Sequence, residues 1–406
     1  MDQTMPHPGH RSSSGLVAAV CVAGPALVAL IPMAAAPAMV AMARHFGASA
    51  DSQFFSQIIM TLPAAMLVLS APLAGLLAGK VGQRTVLLVS LFLYIIGGAG
   101  VLVVSSSEAL MALRVLLGIA GGGVLTSCLG LIGDHFSGHA RERLLGYATS
   151  AASLLAAVAL VFGGRLVDIA GWQAPFALYL LGVPTLFVAL FVIHDVPIRT
   201  QPDPFAPSVP ALGRASEIAK VWPYFLLLVL LTLGMFTPAI QVAFVLEARG
   251  IGSQQTIGSV IAATSFVAMI TAWAYGHLRR WLGVHGFLTI DAVSMGAGIA
   301  MIGLATSTEM IFAGCCLVGI GAGMSEPAIA SLIFRKTNAV AHALAMGLIV
   351  SALNAGQFFN PIIFDPLRRS YGPGSSFLAV GAVLLIVGFY IALRQRQDLL
   401  QKDIET

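Results

Sequence analysis

Arg114–Gly123 reads RVLLGIAGGG, a full positive charge inside a long apolar run, followed by four glycines. At an offset of 201 residues, Cys315–Met324 reads CCLVGIGAGM, so that Gly319, Ile320 and Gly323 fall on Gly118, Ile119 and Gly122. The glycine skeleton returns and the arginine does not. Other matches keep the same offset: Gly75, Leu77 and Gly82 return as Gly276, Leu278 and Gly283, Pro37 as Pro238, Gly146 as Gly347, and Ser150 as Ser351. Several coincidences in chain order at one offset describe a duplicated chain.

The 406 residues are 58% hydrophobic and only 9% charged, whereas soluble domains run near a quarter charged. Apolar runs of about 20 residues recur throughout, the length a helix needs to cross a bilayer. Hydrocarbon offers backbone groups no water partner, and runs this uniformly apolar lack the alternation of a barrel strand, so the class is all-α and polytopic. Cys21, Cys128, Cys315 and Cys316 all lie in apolar runs, which marks small packing residues and neither disulfides nor a metal site.

Twelve spans are predicted, at 16–43, 53–78, 84–105, 109–133, 144–167, 174–194, 221–245, 256–278, 286–306, 310–334, 343–365 and 374–395. The chain then divides into an N-terminal tail 1–15, a six-helix bundle 16–194, a connection 195–220, a second bundle 221–395 and a C-terminal tail 396–406. The connection holds five prolines between Pro197 and Pro210, the composition of a semi-rigid linker. Sorting alternate connections by charge puts fifteen Lys and Arg on the side of the termini and five (Arg44, Arg165, Arg249, Arg368, Arg369) on the other. By the positive-inside rule both termini are expected in the cytoplasm. The same bias explains the basic balance of +4 without a nucleic-acid partner. Parallel repeats about an axis along the membrane normal are an architecture of transporters.

The run Gly75–Arg84, GLLAGKVGQR, resembles the signature between spans two and three of the major facilitator superfamily, Gly-x-Leu-x-Asp-Arg-x-Gly-Arg-Arg. Gly75, Leu77, Gly82 and Arg84 match, Lys80 stands for the first arginine, and Gly79 replaces the family's aspartate. The resemblance implies two pseudo-symmetric six-helix bundles, with this loop latching them on the cytoplasmic side. With its acid missing, Asp134 at the cytoplasmic end of span four is the expected partner for Lys80 or Arg84. The run also approaches a phosphate loop, but it has three residues between its glycines where a Walker A loop needs four, and Val81 where that loop needs Ser or Thr, so it does not support ATP-driven pumping.

Arg114, followed by Gly118 and Gly122, matches the span-four arginine of the family's drug–proton antiporter branch, where it is implicated in proton coupling. No acid lies between Leu16 and Ala43 to pair with it. Glu326 precedes Pro327 in span ten, which by family topology lines the central cavity, and a carboxylate there suits a proton carrier. Arg114 and Glu326 differ in depth by about 15 Å at 1.5 Å per residue, so no direct salt bridge is expected. The partners left open for Arg114 are backbone carbonyls, Gln57 or an anionic substrate. Asp291, on a span the family keeps peripheral, is expected to form a structural pair. Span five keeps Gly163-Gly164 but lacks the Gly-Pro of the antiporter signature; span eleven carries Asn360-Pro361 at the matching place. Asn354, Gln357 and Asn360 recur every three residues on one face of span eleven, and with Gln57, Thr237 and Gln241 they are expected to line the cavity. Gly118, Gly122, Gly163, Gly164, Gly319 and Gly323 are read as helix-packing positions.

These readings describe a monomeric inner-membrane transporter that takes a small molecule by alternating access, is not an enzyme, and needs no cofactor beyond protons as coupling ion. Proton-coupled efflux of an amphipathic or drug-like compound is the main expectation. The missing Gly-Pro and the acid-free first span leave import or uniport of an organic anion or metabolite as the alternative. A membrane-embedded enzyme or sensor would need a catalytic cluster, and no His/Asp or Cys/His grouping lies within the spans.

Overall fold

The computed structural model describes residues 9–47, 49–136, 138–194, 217–251, 253–337 and 342–405. Twelve helices among them are long and apolar enough to cross a membrane: Gly15–His45, Ala50–Val81, Gln83–Val103, Ser107–His135, Arg143–Ala170, Ala174–Val192, Trp222–Ala248, Gln254–Tyr275, Leu282–Leu304, Thr308–Lys336, Ala345–Tyr371 and Gly374–Arg396. They are numbered here as spans one to twelve. The face where span one begins is called the near face and the opposite one the far face. Most of the expected connection 195–220 lies outside the described residues.

Both ends of the chain are more helical than expected. Gly9–Ala35 is helical, so the described part of the N-terminal tail continues the helix of span one. The last helix continues to Glu405, because the segment after Arg396 is built of good helix formers with no glycine or proline to stop it.

The duplication visible in the sequence is a duplication of backbone geometry. Pro37 lies in a single tight turn, Ala36–Ala38, that interrupts span one. Its counterpart Pro238 opens a π-helical turn, Pro238–Val242, inside span seven. A proline has no N–H to give the preceding turn and its ring crowds that turn's carbonyl, so the ladder must tighten or widen there. The turns between spans two and three and between spans eight and nine rest on Gly82, φ +89°, and Gly283, φ +62°, a region closed to most side chains.

Each half is held together by backbone approach rather than side-chain bulk. A Cβ on Gly118 would run into the Pro63 carbonyl of span two, and one on Gly319 into the Thr264 carbonyl of span eight. Residues 63 and 264 are themselves one repeat apart. Gly122 lies against Ser70 and Ala71, and Gly323 against Thr271 and Ala272, again the same offset. Ser70 Oγ donates to the Gly118 carbonyl at 3.3 Å, and Thr271 Oγ1 to the Gly319 carbonyl at 3.3 Å. Without a hydrophobic drive between helices in lipid, such contacts and small residues supply the association. Gly118→Val and Gly319→Val should each cost about 1–3 kcal/mol by overpacking, read as a lowered Tm in detergent. Gly133→Ala, where an added Cβ meets nothing within 4 Å, should leave Tm unchanged.

Candidate functional site

The two halves meet in two helix pairs, span two with span eleven and span five with span eight. In the second pair Gly164 brings span five onto the Gln254 carbonyl, and Gly258 brings span eight onto the Leu160 carbonyl, with no room for a Cβ at either. Gly164 is thus a packing residue between halves, while Gly163 packs on Pro37 within its own half.

Around these pairs the far face is closed by polar contacts between halves. Arg44 pairs with Glu247 at 2.5 Å, joining the far ends of spans one and seven. Arg369 pairs with Asp51 at 2.7 Å, joining span eleven to the first turn of span two. Asp365 holds both Arg368 and Arg369 at 2.7 Å, and Arg368 also donates to Gln53. Asp168 of span five accepts from the backbone N–H groups of Gln254 and Gln255, each 2.9 Å, and from Ser253 Oγ at 3.1 Å. A carboxylate from one half therefore caps the first turn of a helix in the other, where free N–H groups and the dipole favour negative charge. Arg249 donates to the Ala305 and Ser307 carbonyls, so four of the five arginines that break the charge bias are engaged at this face.

Below the ion pairs lies a buried amide chain. Gln57 Nε2 donates to Gln241 Oε1 at 3.1 Å, Gln241 Nε2 to Asn360 Oδ1 at 2.9 Å, and Asn360 Nδ2 to Thr237 Oγ1 at 3.0 Å and the Leu233 carbonyl at 2.9 Å. This corrects the expectation that Gln57, Thr237, Gln241 and Asn360 line the cavity. They sit nearer the far ends of their helices, where the halves touch, and their polar groups satisfy one another.

The cavity lies on the other side of that seal and runs to the near face, with a volume of about 1220 Å³, above the ~300–1,000 Å³ of ordinary ligand pockets. Its wall is largely apolar, with Ile31, Met33, Leu67, Met235, Phe236, Met269 and Trp273, and hydroxyls at Thr149, Ser150, Ser153 and Thr264. Asn354 and Gln357 of span eleven line it, as does Glu326. Glu326 is exposed to the cavity and is the one carboxylate among its described lining residues, which include no arginine, lysine or histidine. Among the described residues no group of three or more His, Cys, Asp or Glu could hold a metal ion.

Arg114 is not in that wall. It is 0% exposed, and its guanidinium donates to the carbonyls of Gly97 at 3.2 Å and Gly98 at 3.5 Å and to Tyr179 Oη at 3.4 Å. Its Cζ stands 4.8 Å from the Phe176 ring centroid and 5.5 Å from that of Tyr179. Carbonyl dipoles and ring faces thus take the place of an acid. Tyr179 Oη donates onward to the Ile31 carbonyl at 2.8 Å, and Tyr94 Oη donates to the Leu27 carbonyl at 2.6 Å. Ile31 lines the cavity, so the buried charge is tied to the cavity wall through one hydroxyl.

Of the run between spans two and three, Gly75, Leu77 and Lys80 lie exposed on the last turns of the span-two helix rather than in a loop, Gly82 makes the turn, and Arg84 donates to the Leu190 carbonyl at 3.2 Å. Asp134 is exposed as well and forms no ion pair with Lys80. The cavity opens toward the near face, and among the described residues the expected pair between Lys80 and Asp134 is not formed.

Comparison with known proteins agrees with this architecture. The sequence profile of the Major Facilitator Superfamily matches residues 21–361, and the chain belongs to that family. Similar sequences include the class B tetracycline resistance protein of Escherichia coli, 24% identical over 81% of this chain and 82% of that one. The quinolone resistance protein NorA of Staphylococcus aureus is 22% identical over 80% of this chain and 84% of its own. Among solved structures, the nucleoside transporter NupG superposes with a TM-score of 0.73 at 10% identity, covering 92% of this chain and 99% of that one. A POT peptide transporter reaches 0.73 at 15% identity, covering 94% of each. The protein is a multi-pass membrane transporter of this superfamily.

The far-face pairs missed in the sequence had one signal, the arginines on the minority side of the charge bias. Exposed pairs are worth at most ~1 kcal/mol each. Replacing Asp51 by Asn and Glu247 by Gln together should therefore raise the population open at the far face by up to about thirtyfold, at 1.36 kcal/mol per tenfold. Spin labels at Ser105 and Ser375, both exposed at that face in different halves, should report longer distances in the double variant.

Proposed function

We propose that this transporter exports small amphipathic compounds in exchange for protons, as a monomer in the bacterial inner membrane with both termini cytoplasmic. The supporting observation is the cavity: a mostly apolar wall with one carboxylate and no cationic side chain among its described lining residues. A solute with an apolar body and a neutral or positive end matches that wall, whereas an organic anion meets no cationic side chain among its described lining residues. The names of the two sequence relatives, tetracycline and quinolone resistance proteins, point the same way. The alternative, import or uniport of a metabolite, draws its support from the missing Gly-Pro ahead of Gly163-Gly164.

With the near face cytoplasmic, the state described is open inward. Solute entering the cavity competes with a proton for Glu326. A positive solute is held by the ionised carboxylate, and a proton arriving from outside displaces it once the far face opens. Carried back on Glu326, the proton leaves to the cytoplasm. Only a difference in affinity between the two states drives such an exchange. Arg114 serves the cycle as a positioning residue, fixing span one beside the cavity through Tyr179 and the Ile31 carbonyl.

Everted membrane vesicles with an imposed pH gradient, acid inside, and ethidium as probe test the reading. Accumulation that collapses with the gradient is expected, and equilibration without accumulation would leave uniport. Glu326→Gln should abolish both the accumulation and the exchange of preloaded probe. Arg114→Ala should lower stability by about 3 kcal/mol through the lost charged hydrogen bonds and the cavity left behind. It should also abolish accumulation, with Arg114→Lys restoring part of both; wild-type stability and uptake in Arg114→Ala would remove the anchor role.

A further inference from the structure

Asp291 lies in the middle of span nine, is 0% exposed, and neither of its carboxylate oxygens has a hydrogen-bond partner. The structural pair expected for it from the sequence is absent. It packs directly on the backbone of span ten, where a Cβ on Gly321 would come within 2.6 Å of Oδ1. Among the described residues it forms no ion pair. Span seven presents Gly234 to the neighbouring Met295, and span twelve presents Gly381, Leu385 and Gly388 to span nine. On span ten the polar neighbour is Ser325, followed by Glu326, which faces the cavity. An unpaired ionised carboxylate at this depth costs several kcal/mol or more, so the uncharged acid is the form this environment tolerates.

The helix beside it is broken. Span ten runs as Thr308–Ala322 and then Ser325–Lys336, interrupted at Gly323-Met324. Pro327 has no N–H to return to the Gly323 carbonyl, which is the local reason for the break. The first half has none of this: span four is continuous from Ser107 to His135, with Thr126 at the position of Pro327 and Ser90 at that of Asp291. At the break, Ser325 Oγ donates to the Gly321 carbonyl at 3.3 Å, and Ser325 also lines the cavity. Its hydroxyl also neighbours the Asp291 carboxyl group.

We propose that Asp291 is a second proton-carrying site, distinct from Glu326 and loaded from the cavity through the Ser325 hydroxyl at the break in span ten. The proposal rests on the proton-coupled reading above. On release, the acid's proton passes to Ser325 Oγ, which gives up its own hydrogen to water in the cavity; loading runs in reverse. One proton moves and Asp291 is left as the carboxylate. The start of the segment Ser325–Lys336, with its favourable dipole, adjoins the negative charge while it lasts. Two acids with separate access to one cavity allow solute to displace a proton from Glu326 while a second remains loaded behind span ten.

Infrared spectroscopy of the full-length protein in lipid, without solute, reads the site directly. Wild type and Glu326→Gln should keep a protonated-carboxyl band at neutral pH that Asp291→Asn lacks. Ser325→Ala should keep the band but slow its hydrogen–deuterium exchange by about tenfold or more, as expected when a positioned proton relay is lost. Absence of the band in wild type, or wild-type exchange in Ser325→Ala, overturns the proposal. In proteoliposomes Asp291→Asn should lose gradient-driven ethidium accumulation while ethidium counterflow continues. Accumulation at the wild-type level in Asp291→Asn overturns it as well. Wild type that itself fails to accumulate ethidium under a gradient, with the band present, counts instead against the proton-coupled reading.

Discussion

Hydrocarbon solvates neither a charge nor an unpaired backbone group, and each ionisable side chain inside these spans answers that constraint differently. Arg114 is surrounded by two carbonyls, a phenol and two ring faces, so its charge is met by dipoles drawn from spans three and six. Glu326 opens onto the cavity. Asp291 has neither answer, being fully buried with both oxygens unpartnered. A charge met by dipoles, an acid open to the cavity and a buried acid without a hydrogen-bond partner thus stand within one bilayer. The environment of each, rather than its residue type, sets which it is.

The duplication supplies a common frame on which these differences are set. Gly118 and Gly319, Gly122 and Gly323, and Gly82 and Gly283 perform the same backbone task in each half. The contacts between halves keep the frame but change the chemistry. Asp168 and Arg369 stand one repeat apart, at the far ends of spans five and eleven. Asp168 caps span eight through backbone N–H groups, whereas Arg369 pairs with Asp51 in the first turn of span two. A pseudo-two-fold axis brings the same surfaces together twice, and each meeting needs only some complementary pair.

Cavity and seal are parts of one polar stripe. Asn354, Gln357 and Asn360 share a face of span eleven, yet the first two line the cavity while the third closes the amide chain with Gln241 and Thr237. Six residues along a helix is about 9 Å, enough to pass from open water to the contact between halves. Opening the far face must break that amide chain as well as the ion pairs outside it.

By itself the sequence determined what depends on local pattern: the helical class from run length, the twelve spans, the two halves from the 201-residue repeat, and the glycine contacts from their recurrence. It also singled out Arg114 and Glu326 as charges that need a reason. Tertiary structure alone decided what surrounds them. The partners of Arg114 include Phe176 and Tyr179, more than sixty residues away in the chain, and no spacing rule links them. The same holds for Asp51 with Arg369, for Arg44 with Glu247, and for the isolation of Asp291. Periodicity fixes the face on which a residue lies; its depth, and what the opposite helix brings to that depth, come only from how the spans pack.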